Sequence, residues 1–231
     1  FVADDAKAND YATAMSAAGT REGVTIEVAE PGMGAVRRFV QGWYAEGEHV
    51  LSIDDDVSTV EVKDGSKLTA VTPAGFDEIV AAGFAECQRI GVRLWGIYPV
   101  RNAYFMRDEV THDLRYVNGT LWGFVNTHDQ AYSVTLDEKE DFERTLLCYA
   151  LDGAVVRFGR VCTHTRYYTE PGGMQETRTP ETVEAGAADL LRRFPLLCER
   201  NTRKKSAHAE VRLRDRRPRA GELLAWRKAT R

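Results

Sequence analysis

The stretch VLSIDDDV, residues 50–57, joins a short apolar run to three consecutive aspartates. Val50, Leu51 and Ile53 lie on both faces of an extended chain, which predicts a central strand covered by helices. Carboxylates at the end of such a strand are suitable ligands for Mg²⁺ or Mn²⁺. The same pattern is typical of a solvated surface loop, so this stretch alone leaves both interpretations open.

Segments of strand and helix character alternate on both sides of this stretch. The expected strands are 24–29, 49–53, 93–98, 116–126 and 154–164, and the expected helices are 33–44, 76–90, 136–151 and 180–194. Strands that alternate with helices predict an α/β fold in which helices cover both faces of one sheet.

Composition indicates a globular domain. The chain has 231 residues, of which 43% are hydrophobic, enough for one substantial core. No apolar run is long enough to span a membrane, and the first residues show no signal-peptide pattern. The four cysteines are scattered, which indicates neither a zinc-thiolate site nor a disulfide framework. We therefore expect a cytoplasmic protein without a membrane partner.

The C-terminal segment 201–231 is strongly basic, with eleven Lys or Arg residues against three acidic ones. The preceding residues carry twenty basic and thirty-two acidic side chains, and the whole chain has a formal net charge of −4. This division predicts a catalytic domain over 1–200 and a basic C-terminal extension over 201–231 that binds a polyanion, with nucleic acid as the leading candidate. The alternative is a solvated tail. The tail residues expected to bind DNA include Lys204, Lys205, Arg214, Arg216 and Arg217.

Four elements follow one another in a definite order along the chain. They are the aspartates 54–56, the glycine-bearing segment NGTLWG at 118–123, the acidic helix start KEDFE at 139–143, and His164 at the end of a later strand. This order resembles the glycosyltransferase A fold, a Rossmann-like mixed sheet with an acidic metal motif, a glycine-rich loop, a motif containing the base, and a later metal-binding histidine.

The resemblance implies a divalent cation, Mn²⁺ or Mg²⁺, that neutralises the diphosphate leaving group of a sugar nucleotide. Asp54, Asp56 and His164 would hold this metal, while Asp54 and Asp55 would also contact the nucleotide. His128 and His112 are the alternative histidine ligands.

The resemblance assigns the remaining contacts to the sugar donor, and the catalytic base, to the two later motifs. Gly119 and Gly123 would let the sugar lie against backbone, with Glu140 as a further donor contact. Asp141 would remove the proton of the acceptor hydroxyl, and the helix N-terminus would keep this carboxylate ionised. The alternatives are that Glu140 and Asp141 only stabilise the helix terminus, and that the two glycines only mark a bulge or tight packing.

Several ordered blocks strengthen the comparison: EPGMGAVRRF, LWGIYPVRNAYFM, THDLRY, NGTLWGFVNTHD, KEDFERTLLCYALDG and RYYTEPGGMQ. Together they resemble the glycosyltransferases associated with TET/JBP oxygenases, which occur in phages and have kinetoplastid relatives that make glucosylated thymine. The likeness covers about residues 1–180, and the basic extension lies outside it.

This family resemblance implies a phage-encoded inverting enzyme in the host cytoplasm. It would move a sugar from a UDP-sugar to the hydroxymethyl group of 5-hydroxymethylcytosine or 5-hydroxymethyluracil in DNA. Arg37 would contact the donor nucleotide or its phosphates, since arginine suits phosphate. Asn102 and Tyr104, with Arg101 and Phe105 beside them, would meet the acceptor or the donor, or else belong to the core.

Three other functions remain open from the sequence. The first is a glycosyltransferase that acts on a carbohydrate or protein, and the second is a nucleotidyltransferase, which shares strand-end carboxylates and a metal. The third is a non-catalytic module that binds metal or nucleic acid.

Overall fold

The computed structural model describes residues 1–2, 4–20, 22–165, 178–202, 210–214, 222 and 225. Its helices are α1 (Asp5–Ala18), α2 (Met33–Trp43), α3 (Pro73–Ile90), α4 (Glu140–Asp152) and α5 (Pro180–Arg193). Its strands are β1 (His49–Ile53), β2 (Val57–Asp64), β3 (Lys67–Ala70), β4 (Leu94–Ile97), β5 (Val110–Asp113), β6 (Leu121–Val125), β7 (Val155–Phe158), β8 (Val161–Thr165), β9 (Cys198–Arg200) and β10 (Val211–Leu213). A short 3-10 helix covers Gln130–Tyr132.

The main sheet is mixed and has five strands in the order β1-β6-β4-β7-β5. β4 and β7 are parallel, while the other neighbouring pairs are antiparallel. It follows that β1, β4 and β7 all run in one direction and end at the same edge of the sheet. The α/β class expected from the sequence is confirmed.

Helices cover both faces of this sheet. On one face, α4 and α5 share a core with Trp122 of β6, built around Leu146 and Leu190, and α2 lies over β1 and β6 on the same side. On the other face, α3 places Phe84 and Cys87 against β4 and β7. No helix among the described residues is long and apolar enough to cross a membrane.

Three segments that contain predicted site residues meet at the carboxyl edge of the sheet. The aspartates 54–56 follow β1 there, and residues 98–109 leave β4 there. Two residues separate α4 from β7, so α4 runs antiparallel to that strand and its first turn lies at the same edge. In open α/β sheets this edge is the usual place for a ligand.

A smaller antiparallel sheet, β3-β2-β8, begins directly after the aspartates. A separate pair of strands, β9 and β10, packs beside α5. Val211 of β10 is buried in the core that α4 and α5 share with the main sheet. The expected boundary between the catalytic domain and the basic extension, at residue 200, therefore falls between two paired strands, because β10 packs with β9 against the core of the domain.

Several expected elements differ from the structure. The apolar run 154–164 is divided between β7 and β8, which lie in different sheets and are separated by Gly159 and Arg160. The expected strand 24–29 makes only a single parallel bridge, between Val28 and Val2. Six of the described elements, α1, β2, β3, β5, β9 and β10, were not among those expected.

Trp95 of β4 is clamped between two glycines. A Cβ atom on Gly83 of α3 would lie 2.4 Å from the Trp95 ring, and one on Gly123 of β6 would lie 2.0 Å from its Nε1 atom. Because Trp95 is fully buried, the indole cannot move aside to solvent. The glycine at position 123 therefore has a packing reason of its own.

We expect Gly123→Ala to lower the free energy of unfolding by about 1–3 kcal/mol, the usual cost of overpacking a core. Urea denaturation followed by circular dichroism measures this. Gly42→Ala is the matched control, because no atom approaches within 4 Å of its Cβ position and alanine favours a helix. Equal stability of the two variants would contradict the clamp.

Candidate active site

The three aspartates form the turn that joins the two larger sheets. The Asp54 amide donates to the Thr120 carbonyl oxygen at 3.0 Å, and the Val57 amide donates to the Asp54 carbonyl oxygen at 3.2 Å. The turn is thereby fixed against the start of β6. The side chains of Thr120 and Thr163, 2.9 Å apart, hold the main sheet to β8 nearby.

Asp54 faces the start of α4 across a glycine. A Cβ atom on Gly119 would lie 3.5 Å from Asp54 Oδ2 and 3.9 Å from Glu140 Oε1. The structure therefore brings together Asp54, Gly119 and Glu140, three residues that are far apart in sequence. The missing side chain at position 119 leaves space beside the Asp54 carboxylate.

Glu140 is buried and is held by two guanidinium groups. Its Oε1 accepts from Arg37 Nη2 at 2.9 Å, and its Oε2 accepts from Arg144 Nη1 at 2.7 Å. Both arginines lie over the Trp122 ring, with Cζ 5.1 Å and 3.7 Å from the ring centroid. Arg37 also donates to Ser52 Oγ at 3.2 Å. These contacts fix α2, α4 and β1 relative to one another.

The ionisation of the aspartates reflects this crowding. Burial raises the pKa of Asp54 to about 6, and the nearby carboxylates of Asp56 and Glu140 add to the rise, while Arg37 opposes it. Burial and the charge of Asp55 also raise the pKa of Asp56. Carboxylates held close together in a partly buried turn need a positive charge to be stable when ionised.

The aspartates fit part of a site for a divalent cation. Asp56 Oδ1 is buried and has no hydrogen-bond partner, as expected of an oxygen whose natural partner is a metal. Within the described ranges, however, no three His, Cys, Asp or Glu side chains converge as a metal site. A cation held by Asp54 and Asp56 would complete its shell with water or phosphate oxygens, as Mg²⁺ commonly does.

The three histidines considered as ligands have different surroundings. His164 is exposed on β8, opposite Thr59 of β2. His112 contacts Glu86 at 2.7 Å, and His128 contacts the Tyr44 carbonyl oxygen at 3.0 Å. The structure thus gives His112 and His128 other partners.

Asp141 is partly buried beside Glu140 and has two donors. The Tyr116 hydroxyl donates to its Oδ2, and the Phe142 amide donates to its Oδ1 at 2.8 Å. Burial and the charge of Glu140 raise the pKa of Asp141, although both hydrogen bonds oppose the rise. Burial therefore acts against the expected effect of the helix N-terminus, which was to keep this carboxylate ionised.

Glu143 links the first turn of α4 to the segment before the helix and to α5. This fully buried carboxylate accepts from the amides of Thr135 and Leu136, each at 2.8 Å, and from Arg193 Nη1 of α5 at 2.5 Å. Lys139, just before the helix, adopts a left-handed backbone with φ of 64°. Non-glycine residues in that region are strained and persist only where surrounding contacts hold them.

The sequence did not identify several of these residues as part of the site. Tyr116, Trp122, Glu143 and Arg144 all support it, and only the spacing in KEDFER contained a usable signal. Residues at i, i+3 and i+4 lie on one helix face, so Glu140, Glu143 and Arg144 had to share one side of α4.

The other predicted contacts are distributed more widely. Asp55 is exposed and accepts a hydrogen bond from the Tyr11 hydroxyl of α1. Gly123 lies against Trp95. Asn102 Oδ1 accepts from the Tyr104 amide at 3.0 Å, so this side chain supports its own loop. Arg214 pairs with Glu199 at 3.0 Å on the body of the protein. Lys204, Lys205, Arg216 and Arg217 lie outside the described residues.

We expect Asp54→Asn to stabilise the protein at pH 7. The Asp54 pKa is about 6 in the folded protein and about 3.9 when unfolded, so folded wild type loses stability as the pH rises through this window. The cost at pH 7 is about 2–3 kcal/mol. The variant avoids this cost, so its advantage should be present at pH 7 and small near pH 4.

Thermal unfolding of both proteins across this pH range measures the effect. Asp64→Asn, at an exposed strand end, is the control and should show no comparable pH-dependent advantage. A less stable Asp54→Asn variant at pH 7 would contradict the burial argument.

We expect Glu140→Ala to destabilise the fold by about 3–5 kcal/mol, because Arg37 and Arg144 would be left as buried charges without their partner. The matched control is Glu184→Ala. Glu184 pairs with Arg200 at the surface, where both side chains are about half exposed, and exposed pairs of this kind add little to stability. Urea denaturation compares the two, and similar losses would refute the role of Glu140.

Comparisons of the chain with protein-family models, with curated proteins and with solved structures found no match. The geometry at the carboxyl edge and the ordered sequence blocks are therefore the observations that bear on function. That geometry places Asp54, Gly119, Glu140 and Arg37 in one cluster, with Asp141 adjoining it on α4.

Proposed function

We propose that this protein is a metal-dependent, inverting glycosyltransferase of the glycosyltransferase A type. It transfers a sugar from a UDP-sugar to the hydroxymethyl group of a 5-hydroxymethylpyrimidine in DNA. The observation that carries the proposal is the cluster of Asp54, Gly119 and Glu140 at the carboxyl edge of the sheet, with Asp141 next to it.

The donor side of the reaction uses the aspartate turn and Arg37. Asp54 and Asp56 present oxygen ligands, and a divalent cation held there would neutralise the charge that develops on the diphosphate. Arg37 lies on the first turns of α2, close to the same carboxylates, where a guanidinium suits phosphate oxygens. Gly119 leaves room for the sugar ring to approach the backbone beside Asp54.

The acceptor side uses Asp141. Its carboxylate takes the proton of the acceptor hydroxyl while the hydroxyl oxygen bonds to the anomeric carbon, and the bond from that carbon to the diphosphate oxygen breaks. Attack from the side opposite the leaving group inverts the anomeric centre. A raised pKa suits a general base, because it strengthens the carboxylate as a proton acceptor. Tyr116 orients this group through its hydroxyl.

The charge of the chain supports a nucleic acid as the acceptor. The segment 201–231 carries a net excess of basic residues, whereas the rest of the chain is acidic. Lysine and arginine clusters of this kind bind the phosphate backbone without sequence preference. A carbohydrate or protein acceptor gives no reason for such a segment.

The direct test combines the protein with Mn²⁺, a panel of UDP-sugars and duplex DNA containing either 5-hydroxymethylpyrimidine. Digestion to nucleosides and mass spectrometry then detect an added hexose or pentose. We expect Asp141→Asn to lower the transfer rate by about 10²- to 10⁴-fold, the usual contribution of a general base. Asp64→Asn is the control and should retain the wild-type rate.

The same samples separate the other functions. Release of UDP without a mass change in DNA indicates a carbohydrate or protein acceptor, and release of pyrophosphate from a nucleoside triphosphate indicates a nucleotidyltransferase. If no donor is consumed, and Asp56→Ala changes only metal binding, the protein is a binding module. Absence of added sugar on both DNA substrates across the panel would overturn the DNA proposal.

A further inference from the structure

The loop between β4 and β5, residues 98–109, presents an aromatic pair to solvent. Tyr104 is 81% exposed and Phe105 is 58% exposed. Their ring centroids are 5.0 Å apart in an edge-to-face arrangement, and Val100, 54% exposed, lies in the same loop. Adjoining exposed apolar side chains of this size usually mark a binding surface.

The loop holds this pair on a fixed backbone. Met106, next to Phe105, is fully buried, and its carbonyl oxygen accepts from Lys63 Nζ at 2.7 Å. The Phe105 amide donates to the Asn102 carbonyl oxygen at 3.2 Å, and the Tyr104 amide donates to the Asn102 side chain. Anchored on both sides of the turn, the rings are preorganised for contact, which lowers the entropic cost of binding.

The loop also lies on the same side of the molecule as the candidate active site. It leaves β4 at the carboxyl edge, and Arg101 binds both oxygens of Glu61 on β2, at 2.5 Å and 2.8 Å. β2 begins at Val57, directly after the aspartates. Glu61 lies four positions after Val57 along the strand, about 13 Å at the usual rise. An extended polymer could therefore reach both the aspartates and the loop.

Arginines lie on both sides of the aromatic pair in this loop, which also carries the exposed acids Asp108 and Glu109. Arg101 remains 45% exposed despite its pairing with Glu61, and Arg107 is exposed on the other side of the pair. Guanidinium groups next to exposed aromatic rings combine phosphate contact with base stacking, as proteins that bind single strands do.

We propose that Tyr104 and Phe105 stack against unpaired bases of the acceptor strand, a few nucleotides from the modified pyrimidine. This inference rests on the proposed function for its choice of partner. Stacking needs a base face that a closed duplex does not offer. The pair should therefore contribute more to binding a single strand or an opened duplex than to binding a closed duplex.

The test measures fluorescence anisotropy with a labelled oligonucleotide containing 5-hydroxymethylcytosine, either single-stranded or in a duplex. Stacking on one aromatic side chain changes affinity by roughly 5- to 100-fold on replacement with alanine. We expect Tyr104→Ala and Phe105→Ala each to weaken single-strand binding by about 10-fold, with a smaller effect on the duplex. Tyr104→Phe keeps the ring and should bind within about twofold of wild type.

Trp43→Ala is the matched control. Trp43 is 52% exposed and ends α2, at the opposite edge of the sheet from the loop, so this variant should bind both oligonucleotides like wild type. Unchanged affinity of both loop variants in a protein that still transfers sugar to DNA would overturn the stacking proposal and leave the proposed function intact.

Two further outcomes also count against the stacking proposal. If wild type neither binds the oligonucleotides nor modifies DNA, this proposal fails together with the proposed function. Sedimentation velocity on the same variants examines a second copy of the chain as the partner. Loss of a wild-type dimer in Tyr104→Ala, with unchanged oligonucleotide binding, would assign the aromatic pair to self-association.

Discussion

The carboxylate of Glu140 is the point on which the rest of the site depends. It is buried between Arg37 of α2 and Arg144 of α4, and both guanidinium groups rest on Trp122 of β6. A buried charge is tolerated only with close partners, so α2, α4 and the sheet must pack in the one arrangement that supplies them. That arrangement also sets where Asp54 and Asp141 lie.

The site is assembled at a cost in stability. Burial raises the pKa values of Asp54 and Asp56, and neighbouring carboxylates add to the rise, Asp56 and Glu140 at Asp54 and Asp55 at Asp56. Uncharged side chains in place of Asp54 and Asp56 would make the folded protein more stable. Local conflict of this kind is characteristic of functional sites, where chemistry and stability make opposite demands.

The sequence predicted those parts of the fold that have a strong hydrophobic pattern. β1 and α3 were expected within a few residues, because each has an apolar face of regular period. The division of 154–164 into β7 and β8 was not expected. The turn at Gly159 and Arg160 is only two residues long, and apolar residues precede and follow it, so the whole run resembles one strand. α1 was missed because none of its residues is buried, which leaves no apolar stripe to detect.

The candidate site was predicted in part for a similar reason. Strand-end aspartates and an acidic helix start are visible in sequence, whereas the partners of Glu140 and Glu143 come from distant segments that only the fold brings near. The aspartate turn has a mechanical consequence as well. Like the turn at Gly159 and Arg160, it links the five-stranded and three-stranded sheets covalently, and Asp54 and Asp56 both lie within it. A cation bound by both would act as a strut that stiffens one sheet against the other.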